Sequence, residues 1–337
     1  MRVIALGVNA PFVTGKYENV VPLEELKKLL LSSKENSQQD VWEEILKASK
    51  STYDPCWQSN FLLEFDVPNK RGKKDSPYRL LLDCGGDIRH CLAGIGLTVS
   101  DIDGVYISHV HADHIGGMEN VALETFFDSQ YSPSKEMWLS GREIVACLLE
   151  EKSSYRPPNP VKPDLFVHTR VLESLRSALS PGLNTLEWLP EICLETYFNV
   201  IEMCKSDKNY SYVFADGNRF WELTPIFVMH AIGSSEPMPC YGIALLGSDD
   251  TLIVFPTDTQ HMTPWQLKML YYRASAIYMD CETSKYFSGV HPNLSQLMYD
   301  MAPIIQQKCY LYHYQGSPEC PPGMFKGILK AGDIQEY

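Results

Sequence analysis

The stretch Ser108-His109-Val110-His111-Ala112-Asp113-His114-Ile115-Gly116-Gly117 places three imidazoles and one carboxylate within six residues. It directly follows Val105-Tyr106-Ile107, an apolar run that predicts a buried strand. Open sheets place their sites at the carboxyl ends of strands, which is where this stretch begins. A histidine-rich surface turn is the alternative interpretation, but four ligand-type residues at this spacing after an apolar strand argue against it.

The spacing within this stretch favours metal binding. In an extended segment side chains two residues apart point the same way, so His109 and His111 can share one ion. Asp113 and His114 follow where the chain turns and can reach a second ion. Imidazole and carboxylate are ligands that suit zinc, iron and manganese.

Composition limits the class of protein. The chain has 337 residues, of which 45% are hydrophobic and 21% charged, and these values exclude a collagen, a coiled coil and a wholly disordered chain. Its net charge is -13, from 42 acidic and 29 basic residues. A chain this acidic lacks the overall attraction by which proteins coat nucleic acid non-specifically, although a local basic patch stays open.

Cysteine usage and the N-terminus favour a cytoplasmic protein. None of the ten cysteines forms a CxxC pair, so neither a secreted disulfide scaffold nor a cysteine-rich zinc finger is expected. The first residues, MRVIALGVNAPF, predict a strand and lack the hydrophobic core of a signal peptide. No window approaches 18 apolar residues, so no membrane-spanning helix and no membrane partner are expected.

Strands alternate with helices in both halves of the chain, which predicts an α/β sandwich. We expect one domain over 1–337 with two insertions, a helical one at about 13–55 and a longer one at about 120–222. Within the longer insertion, Val171–Leu179 and Leu194–Cys204 have the spacing of helices. His90 and His168 belong to no motif, and we interpret both as surface or boundary residues.

The HxHxDH motif followed by two glycines resembles the metal motif of the metallo-β-lactamase-fold hydrolases. Ser59-Asn60-Phe61-Leu62-Leu63-Glu64 and Leu80-Leu81-Leu82-Asp83-Cys84-Gly85-Gly86 are similar to the early strand and the Asp-x-Gly loop of that family. The resemblance implies an αββα sandwich with helical insertions. It also implies that Asp83 is hydrogen-bonded beside the metal ligands, whereas an ordinary strand-end turn residue is the alternative.

Three later residues, each at the end of a predicted strand, extend the resemblance to the tRNase Z-like branch. His230 resembles a ligand that precedes a short loop and a Tyr-Gly strand, Asp258 resembles the bridging aspartate, and His313 resembles the last ligand. Taken singly, each could instead be a core or strand-end residue.

The resemblance implies two Zn²⁺ ions, with Mn²⁺ or Fe²⁺ as alternatives. The first would bind His109, His111 and His230. The second would bind Asp113, His114 and His313, and Asp258 would bridge the two. A hydroxide bound between the ions would then be the nucleophile.

Two further segments, Glu282-Thr283 and Gly289–Leu297, resemble a tRNase Z-branch element in which a glutamate supports a histidine that protonates the leaving oxygen. His291 is therefore the candidate general acid, with Glu282 as its support, and Asp113 completes the candidate catalytic residues. Pro292 and Asn293 depart from the Ser-Thr that the family often has at this point, so a loop residue is the alternative for His291.

The chain departs from tRNase Z where that family has a tRNA-clamping arm. His230 and Asp258 are only 28 positions apart, which leaves no room for such an arm. Together with the acidic charge this favours a small phosphodiester, with a cyclic nucleotide as the expected substrate. Six aromatic residues could stack on a base or pack in the core: Trp138, Tyr155, Tyr197, Phe198, Tyr210 and Tyr212.

Other functions stay open. One is RNA 3′-end processing of the tRNase Z type, for which nucleic acid is the disfavoured but not excluded partner. Another is hydrolysis of a lactone, a thioester or a sulfate ester on the same scaffold, and a third is a metal-binding fold used for interaction. By analogy with tRNase Z-like proteins a homodimer is expected.

Overall fold

The computed structural model describes residues 1–10, 16–18, 52–54, 57–70, 76–127, 162–185, 192–204, 210–216, 219–232, 236–260, 265–285, 287–316 and 318–337. The chain forms two compact units. One comprises Met1–Pro11 and Trp57–Tyr337, and the other comprises Phe12–Cys56. The helices expected within 13–55 lie outside the described residues.

The described strands, in chain order, are β1 (Arg2–Gly7), β2 (Lys16–Glu18), β3 (Thr52–Asp54), β4 (Asn60–Pro68), β5 (Pro77–Leu82), β6 (Gly104–Ile107), β7 (Asp164–His168), β8 (Asn199–Met203), β9 (Tyr212–Asp216), β10 (Arg219–Phe227), β11 (Tyr241–Gly247), β12 (Leu252–Thr257), β13 (Ala276–Asp280), β14 (Cys309–Tyr312), β15 (Gly327–Ile328) and β16 (Ile334–Glu336). The described α-helices are α1 (Ile88–Gly94), α2 (Ala112–Ile115), α3 (Met118–Phe127), α4 (Thr169–Leu183), α5 (Leu194–Tyr197), α6 (Trp265–Arg273), α7 (Leu294–Tyr299) and α8 (Pro303–Gln306).

Two seven-stranded sheets form the larger unit. The first has the order β16-β1-β4-β5-β6-β7-β8, and the second has the order β15-β14-β13-β12-β11-β10-β9. In each sheet an antiparallel part continues into a parallel part, which begins at the β5–β6 pair in the first and at the β12–β13 pair in the second. In the smaller unit β2 pairs with β3 in antiparallel fashion.

Alternation along the strands explains why the sheets pack face to face. On β4 the side chains of Phe61, Leu63 and Phe65 join a buried cluster that also contains Ile243 and Phe255 of the second sheet. Successive strand residues point to opposite faces, so the neighbouring side chains face outward instead. On β4 these include Leu62, which packs in a separate cluster with residues of α1, α3 and α4.

A third cluster lies on the outer face of the second sheet and includes residues of α6, α7 and α8. Because both faces of each sheet are covered, the central strands read as nearly continuous apolar runs. The order of layers is helices, sheet, sheet, helices. The predicted α/β sandwich of the αββα type is therefore confirmed.

The stretch expected to be a long insertion, 120–222, supplies strands to both sheets. β7 and β8 extend the first sheet, and β9 pairs with β10 in the second. The helix expected over Leu194–Cys204 ends at Tyr197, and the chain continues as β8. The helical expectation was wrong there because Asn199–Met203 pairs in parallel with β7, and backbone pairing with a neighbouring strand overrides local spacing.

None of the described helices is both long enough and apolar enough to span a membrane. The feature of the fold that matters for chemistry is one edge of the sandwich. There β5, β6, β12 and β14 each end immediately before a polar residue that the sequence singled out. These four residues are Asp83, Ser108, Asp258 and His313.

Candidate metal centre

Three imidazoles converge at the end of β6 and β10. His111 Nδ1 lies 3.1 Å from His109 Nε2 and 3.1 Å from His230 Nε2. One carboxylate oxygen, Asp258 Oδ2, stands 3.7 Å from His230 Nε2 and 4.0 Å from His109 Nε2. The structure thus brings His109, His111, His230 and Asp258 together as one group of donor atoms, hereafter the first group.

A second group adjoins the first and shares Asp258 with it. It consists of Asp113, His114, Asp258 and His313. His114 Nε2 lies 3.3 Å from Asp113 Oδ2 and 3.2 Å from Asp258 Oδ2, and His313 Nδ1 lies 3.5 Å from Asp258 Oδ1. The seven residues expected from sequence to bind metal therefore lie at one site, with Asp258 between the two groups.

The local backbone explains how one short stretch serves both groups. His109, Val110 and His111 are outside any helix, and His111 has an extended backbone (φ -69°, ψ 151°) just before α2. The single-turn helix α2 then carries Asp113 and His114. The extended part aims its imidazoles at the first group, and the helical turn aims the next two side chains at the second.

Close packing of two loops holds this stretch in place. Cys84 N donates to His114 O at 2.8 Å, and Gly117 N donates to Cys84 O at 2.9 Å. A Cβ atom at Gly117 would lie 2.4 Å from Gly85 O, so only glycine allows the two loops to approach this closely. The Gly-Gly that ends the motif is therefore a packing requirement of the site.

Three strand ends at the site have left-handed backbone, which L side chains seldom adopt. Asp83, Thr257 and His313 have φ values of 63°, 58° and 63°. Such a conformation is costly for a β-branched residue such as Thr257 and persists only where the surroundings over-determine it. At each of these points the chain turns sharply out of a strand, which directs Asp83, Asp258 and His313 into the edge of the sandwich.

A hydrogen bond on the opposite ring nitrogen fixes three of the imidazoles. The other nitrogen of His109 contacts Ser108 Oγ at 2.9 Å, that of His114 contacts Asp83 Oδ2 at 2.8 Å, and that of His230 contacts Val290 O at 3.0 Å. In each case Nδ1 makes this contact, and Nε2 points toward the other candidate metal ligands of the first or the second group. Anchors of this kind orient the ring and set the tautomer of metal-binding histidines.

Asp83 lies beside the atoms of the two groups and not among them. Its Oδ1 accepts from the backbone N–H of Ser108 at 2.8 Å, and its Oδ2 accepts from Ser108 Oγ at 2.8 Å. The same Oδ2 contacts His114 Nδ1. One carboxylate thus orients a ligand candidate in each group, His109 through Ser108 and His114 directly.

Burial and charge set the protonation of these side chains. Burial lowers the pKa of His109, His111 and His230, which favours the neutral imidazole that can bind a cation. Burial also acts to lower the pKa of His114, but the charges of Asp258, Asp83 and Asp113 outweigh it and raise that pKa well above its usual range. Positive charge is therefore favoured at the second group.

The residues present fit a pair of cations. His114 Nε2, Asp258 Oδ1 and both ring nitrogens of His313 are buried and have no hydrogen-bond partner among the described residues. Buried polar atoms without a partner are costly, and a cation would satisfy them. The ligands of a tetrahedral zinc ion stand roughly 3.3 Å apart. The separations given above lie between 3.1 and 4.0 Å in the first group and between 3.2 and 3.5 Å in the second, so they bracket that value.

His291 lies next to both groups but binds a different carboxylate from the one expected. Its Nδ1 lies 2.7 Å from Asp280 Oδ2, and its ring centroid lies 5.0 Å from that of His230 and 4.9 Å from that of His313. Burial alone would lower the pKa of His291, but the Asp280 charge and hydrogen bond outweigh it and raise the pKa to about 9. Asp280 belongs to none of the motifs found in the sequence, and its place as the last residue of β13 was the available signal.

Glu282 supports the loop that carries His291. Its carboxylate accepts hydrogen bonds from Ser284 Oγ at 2.9 Å and from Ser288 N and Oγ at 3.0 and 3.2 Å. Its backbone N–H donates to Pro292 O at 2.8 Å. Glu282 thus positions the histidine through the loop, while Asp280 makes the contact with the ring.

Three of the six aromatic residues considered for base stacking pack against other side chains of the fold. Tyr197 and Phe198 are buried in the first sheet's outer cluster, and Tyr212 packs edge-on against Phe166. Trp138 and Tyr155 lie outside the described residues, and Tyr210 is exposed. His168, interpreted from sequence as a surface or boundary residue, is buried and stacks on Tyr241 with 3.5 Å between ring centroids.

The αββα sandwich with two histidine-aspartate groups at its edge defines a metallo-β-lactamase-fold hydrolase. The family model described as "Anti-Pycsar protein Apyc1" matches residues 55–152 and 147–324. The chain belongs to the anti-Pycsar protein Apyc1 family.

Individual proteins agree with this placement. The anti-Pycsar protein Apyc1 of Bacillus phage 010DV004 is 28% identical over 248 residues, which cover 72% of this chain and 80% of that protein. The one from Paenibacillus harenae is 40% identical over 75 residues, 22% of this chain and 31% of that protein.

Solved structures share the fold at low sequence identity. A diphosphatase from the PhnP family has a TM-score of 0.56 at 13% identity and covers 100% of this chain and 97% of its own. YhfI from Bacillus subtilis, a metallo-β-lactamase-fold protein, has a TM-score of 0.54 at 14% identity and covers 99% of both chains. The short form of human tRNase Z has a TM-score of 0.53 at 11% identity and covers 100% of this chain and 99% of its own.

Proposed function

We propose that this protein is a dinuclear metal-dependent phosphodiesterase that hydrolyses a small nucleotide phosphodiester, with a cyclic nucleotide as its substrate. The observation that carries the proposal is the pair of donor groups that share Asp258, with His291 beside them. Membership of the anti-Pycsar protein Apyc1 family supports the same substrate class. The acidic surface charge favours a small substrate over an RNA.

In this proposal the first group would hold one divalent cation and the second group another, with Zn²⁺ the ion that the imidazole-rich set suits best and Mn²⁺ or Fe²⁺ as alternatives. When bound, the cations would supply Lewis acidity at a phosphoryl oxygen and balance the negative charge that develops there. The carboxylates of Asp113 and Asp258 are buried, so without this compensation they would repel an anionic substrate.

His291 is the residue that donates a proton to the leaving oxygen. Its Nδ1 is engaged by Asp280, which leaves Nε2 as the position from which the ring donates a proton. The side chain is 14% exposed, so it is largely shielded from water yet open on one side. The Asp280 carboxylate keeps the ring protonated near neutral pH, which a general acid requires.

Hydrolysis assays on protein of known metal content test the proposal. We expect the wild type to hold about two metal ions and to open a cyclic nucleotide. His111→Ala should lose metal and lower kcat/KM by at least about 100-fold. His90→Ala, which changes an exposed histidine outside both groups, is the matched control and should retain both properties.

The alternatives predict other results. Cleavage of pre-tRNA 3′ trailers with steep salt dependence and no action on cyclic nucleotides would contradict the proposal in favour of RNA processing. Turnover of a lactone, thioester or sulfate ester alone would place the chemistry in another hydrolase class. Full activity of His111→Ala after loss of metal would show that the reaction does not require the metal.

A symmetric homodimer and a cytoplasmic location are also part of the proposal. The homodimer rests on the resemblance to tRNase Z-like proteins, and the location rests on the cysteine usage and the N-terminal residues. Light scattering coupled to size-exclusion chromatography measures the first, and a mass of one chain at micromolar concentration would contradict it. Fractionation of the source cells measures the second.

A further inference from the structure

A row of three rings runs along the sandwich edge, starting beside the first group. Tyr241 N, at the start of β11, donates to Ser108 O at 3.0 Å, which places Tyr241 next to the residue that precedes His109. His168, at the end of β7, stacks on the Tyr241 ring with an interplanar angle of 11°. Phe227, at the end of β10, meets Tyr241 edge-on at 5.7 Å.

The three rings differ in exposure. Tyr241 and His168 are 6% and 8% exposed, whereas Phe227 is 40% exposed. His168 covers one face of Tyr241. Phe227 is therefore the member of the row that offers an open surface to a ligand.

Phe227 lies only three residues before a candidate metal ligand. Three residues after it, His230 enters the first group, and the intervening Val228 is fully buried. Val228 N donates a hydrogen bond to Cys240 O at 3.1 Å, and Cys240 directly precedes Tyr241. The short link anchors an exposed aromatic ring at a fixed distance from a candidate metal ligand.

We propose that Phe227 is the platform on which the nucleobase of the substrate stacks, so that the site selects base-bearing phosphodiesters over those without a base. The inference rests on the proposed function and refines its substrate class. Every base has a π-face, so such a platform recognises a base with little preference among the four. Tyr241 and His168 act as positioning residues that hold the platform.

Two substrates and one substitution test the platform. The substrates are a 3′,5′-cyclic nucleotide and the matching abasic cyclic ribose phosphate. Phe227→Leu keeps an apolar side chain but removes the flat ring. We expect it to raise KM for the nucleotide by about 5- to 100-fold and to change KM for the abasic compound far less, because stacking on an aromatic side chain contributes that much per base.

A binding measurement separates stacking from catalysis. Calorimetry with a nucleoside 5′-monophosphate and with ribose 5-phosphate should show the same selective loss of affinity in Phe227→Leu. Phe220→Leu is the matched control, because Phe220 is similarly exposed at 38% but lies at the opposite end of the same strand. It should bind both compounds as the wild type does.

The outcomes are distinct. Equal effects of Phe227→Leu on both members of each pair, or no effect on either, would overturn the platform and leave the phosphodiesterase standing. A second exposed ring, Phe287, lies in the loop before His291. The same selectivity arising instead from Phe287→Leu would move the platform to that loop and would also overturn the proposal. Failure of the wild type to hydrolyse either cyclic substrate would refute the proposed function, and this inference with it.

Discussion

Asp258 is the residue through which the two donor groups are linked. It is 2% exposed, and its two oxygens lie between 3.2 and 4.0 Å from nitrogens of His109, His114, His230 and His313. Burial alone would raise the pKa of Asp258, but the neighbouring His313 and His114 hold it well below its usual range. A carboxylate that is ionised at neutral pH and shared by the two groups would help to hold two cations if they bind.

The Asp280–His291 pair predicts a pH dependence. Asp280→Asn removes the charge that raises the pKa of His291, so the ring will lose its proton at a lower pH. Because the general acid must be protonated, the alkaline limb of the pH–rate profile should move to lower pH, and kcat at pH 8 should fall by about 100-fold. Kinetics across pH 5–10 measure the limb. If the alkaline limb of Asp280→Asn stayed at the same pH as in the wild type, His291 would not be the group whose protonation sets that limb.

Asp83 predicts a change in metal affinity without a change in ligands. Asp83→Asn weakens the contacts that orient His114 and, through Ser108, His109. We expect metal affinity to fall by about 10- to 100-fold, as measured by competition with a chromogenic chelator. Asp66→Asn, at an exposed carboxylate on β4, is the control and should bind as the wild type does. Unchanged affinity in Asp83→Asn would show that the ligands hold their own orientation.

At the scale of elements, α4 begins with a titratable cap. His168 is its N-cap residue, and the His168 Nδ1 accepts a hydrogen bond from Arg170 N at 3.1 Å. Burial, assisted by the charge of Arg170, lowers the pKa of His168 to about 4. The folded protein therefore requires the neutral ring, because a protonated Nδ1 has no lone pair to accept this bond.

This cap predicts a loss of stability in mild acid. Between pH 6.5 and 4 the unfolded chain binds a proton at His168 that the folded chain does not, so the free energy of unfolding falls as pH falls. The contribution is at most about 3 kcal/mol. His168→Asn keeps a capping side chain without the titration, so urea midpoints at pH 7 and pH 5 should differ less in it than in the wild type. An equal difference in both proteins would exclude His168 as the source.

At this scale the sequence predicted a helix or strand correctly where the residue pattern of the segment itself was enough to determine its structure. The apolar run Val105-Tyr106-Ile107 is fully buried in β6, and Val171–Leu179 lies within α4, as its spacing predicted. Leu194–Cys204 is the counterexample, since half of it is β8. A segment of five residues has too weak a periodicity to outweigh the hydrogen bonds that a neighbouring strand offers.

At the scale of the whole molecule, the site joins the two sheets. His109, His111, Asp113 and His114 follow β6 of the first sheet, whereas His230, Asp258 and His313 follow strands of the second. A cation in either group would therefore bind ligands from both sheets. Such binding stabilises the folded state alone, because the donors come together only there.

Metal removal should consequently lower thermal stability. Dialysis against a chelator is expected to reduce Tm by roughly 5 °C or more, and added Zn²⁺ should restore it. Differential scanning calorimetry on the full chain, with metal content measured in parallel, makes the comparison. His111→Ala should start from the lower Tm and respond less to the chelator. An unchanged Tm after complete loss of metal would show that the cations do not link the sheets.

The sequence by itself determined the architecture and predicted the chemistry. HxHxDH after an apolar strand predicted a cation-binding edge, because ligand type and spacing are local properties. The resemblance to the tRNase Z-like branch, together with the order of the later strand ends, named His230, Asp258 and His313 as the candidate distant partners, and the structure places them beside HxHxDH. Periodicity of two and of 3.6 residues was enough to predict layered sheets and helices.

Tertiary structure alone decided which side chains touch. His291 pairs with Asp280 instead of Glu282 through the loop that follows β13, and Phe227 meets Tyr241 on the adjacent strand. The burial of His168 depends on its contact with Tyr241 of the other sheet. Local sequence carries no record of the contact between His168 and Tyr241, because these residues lie on different sheets and become neighbours only when sheet order and register are fixed.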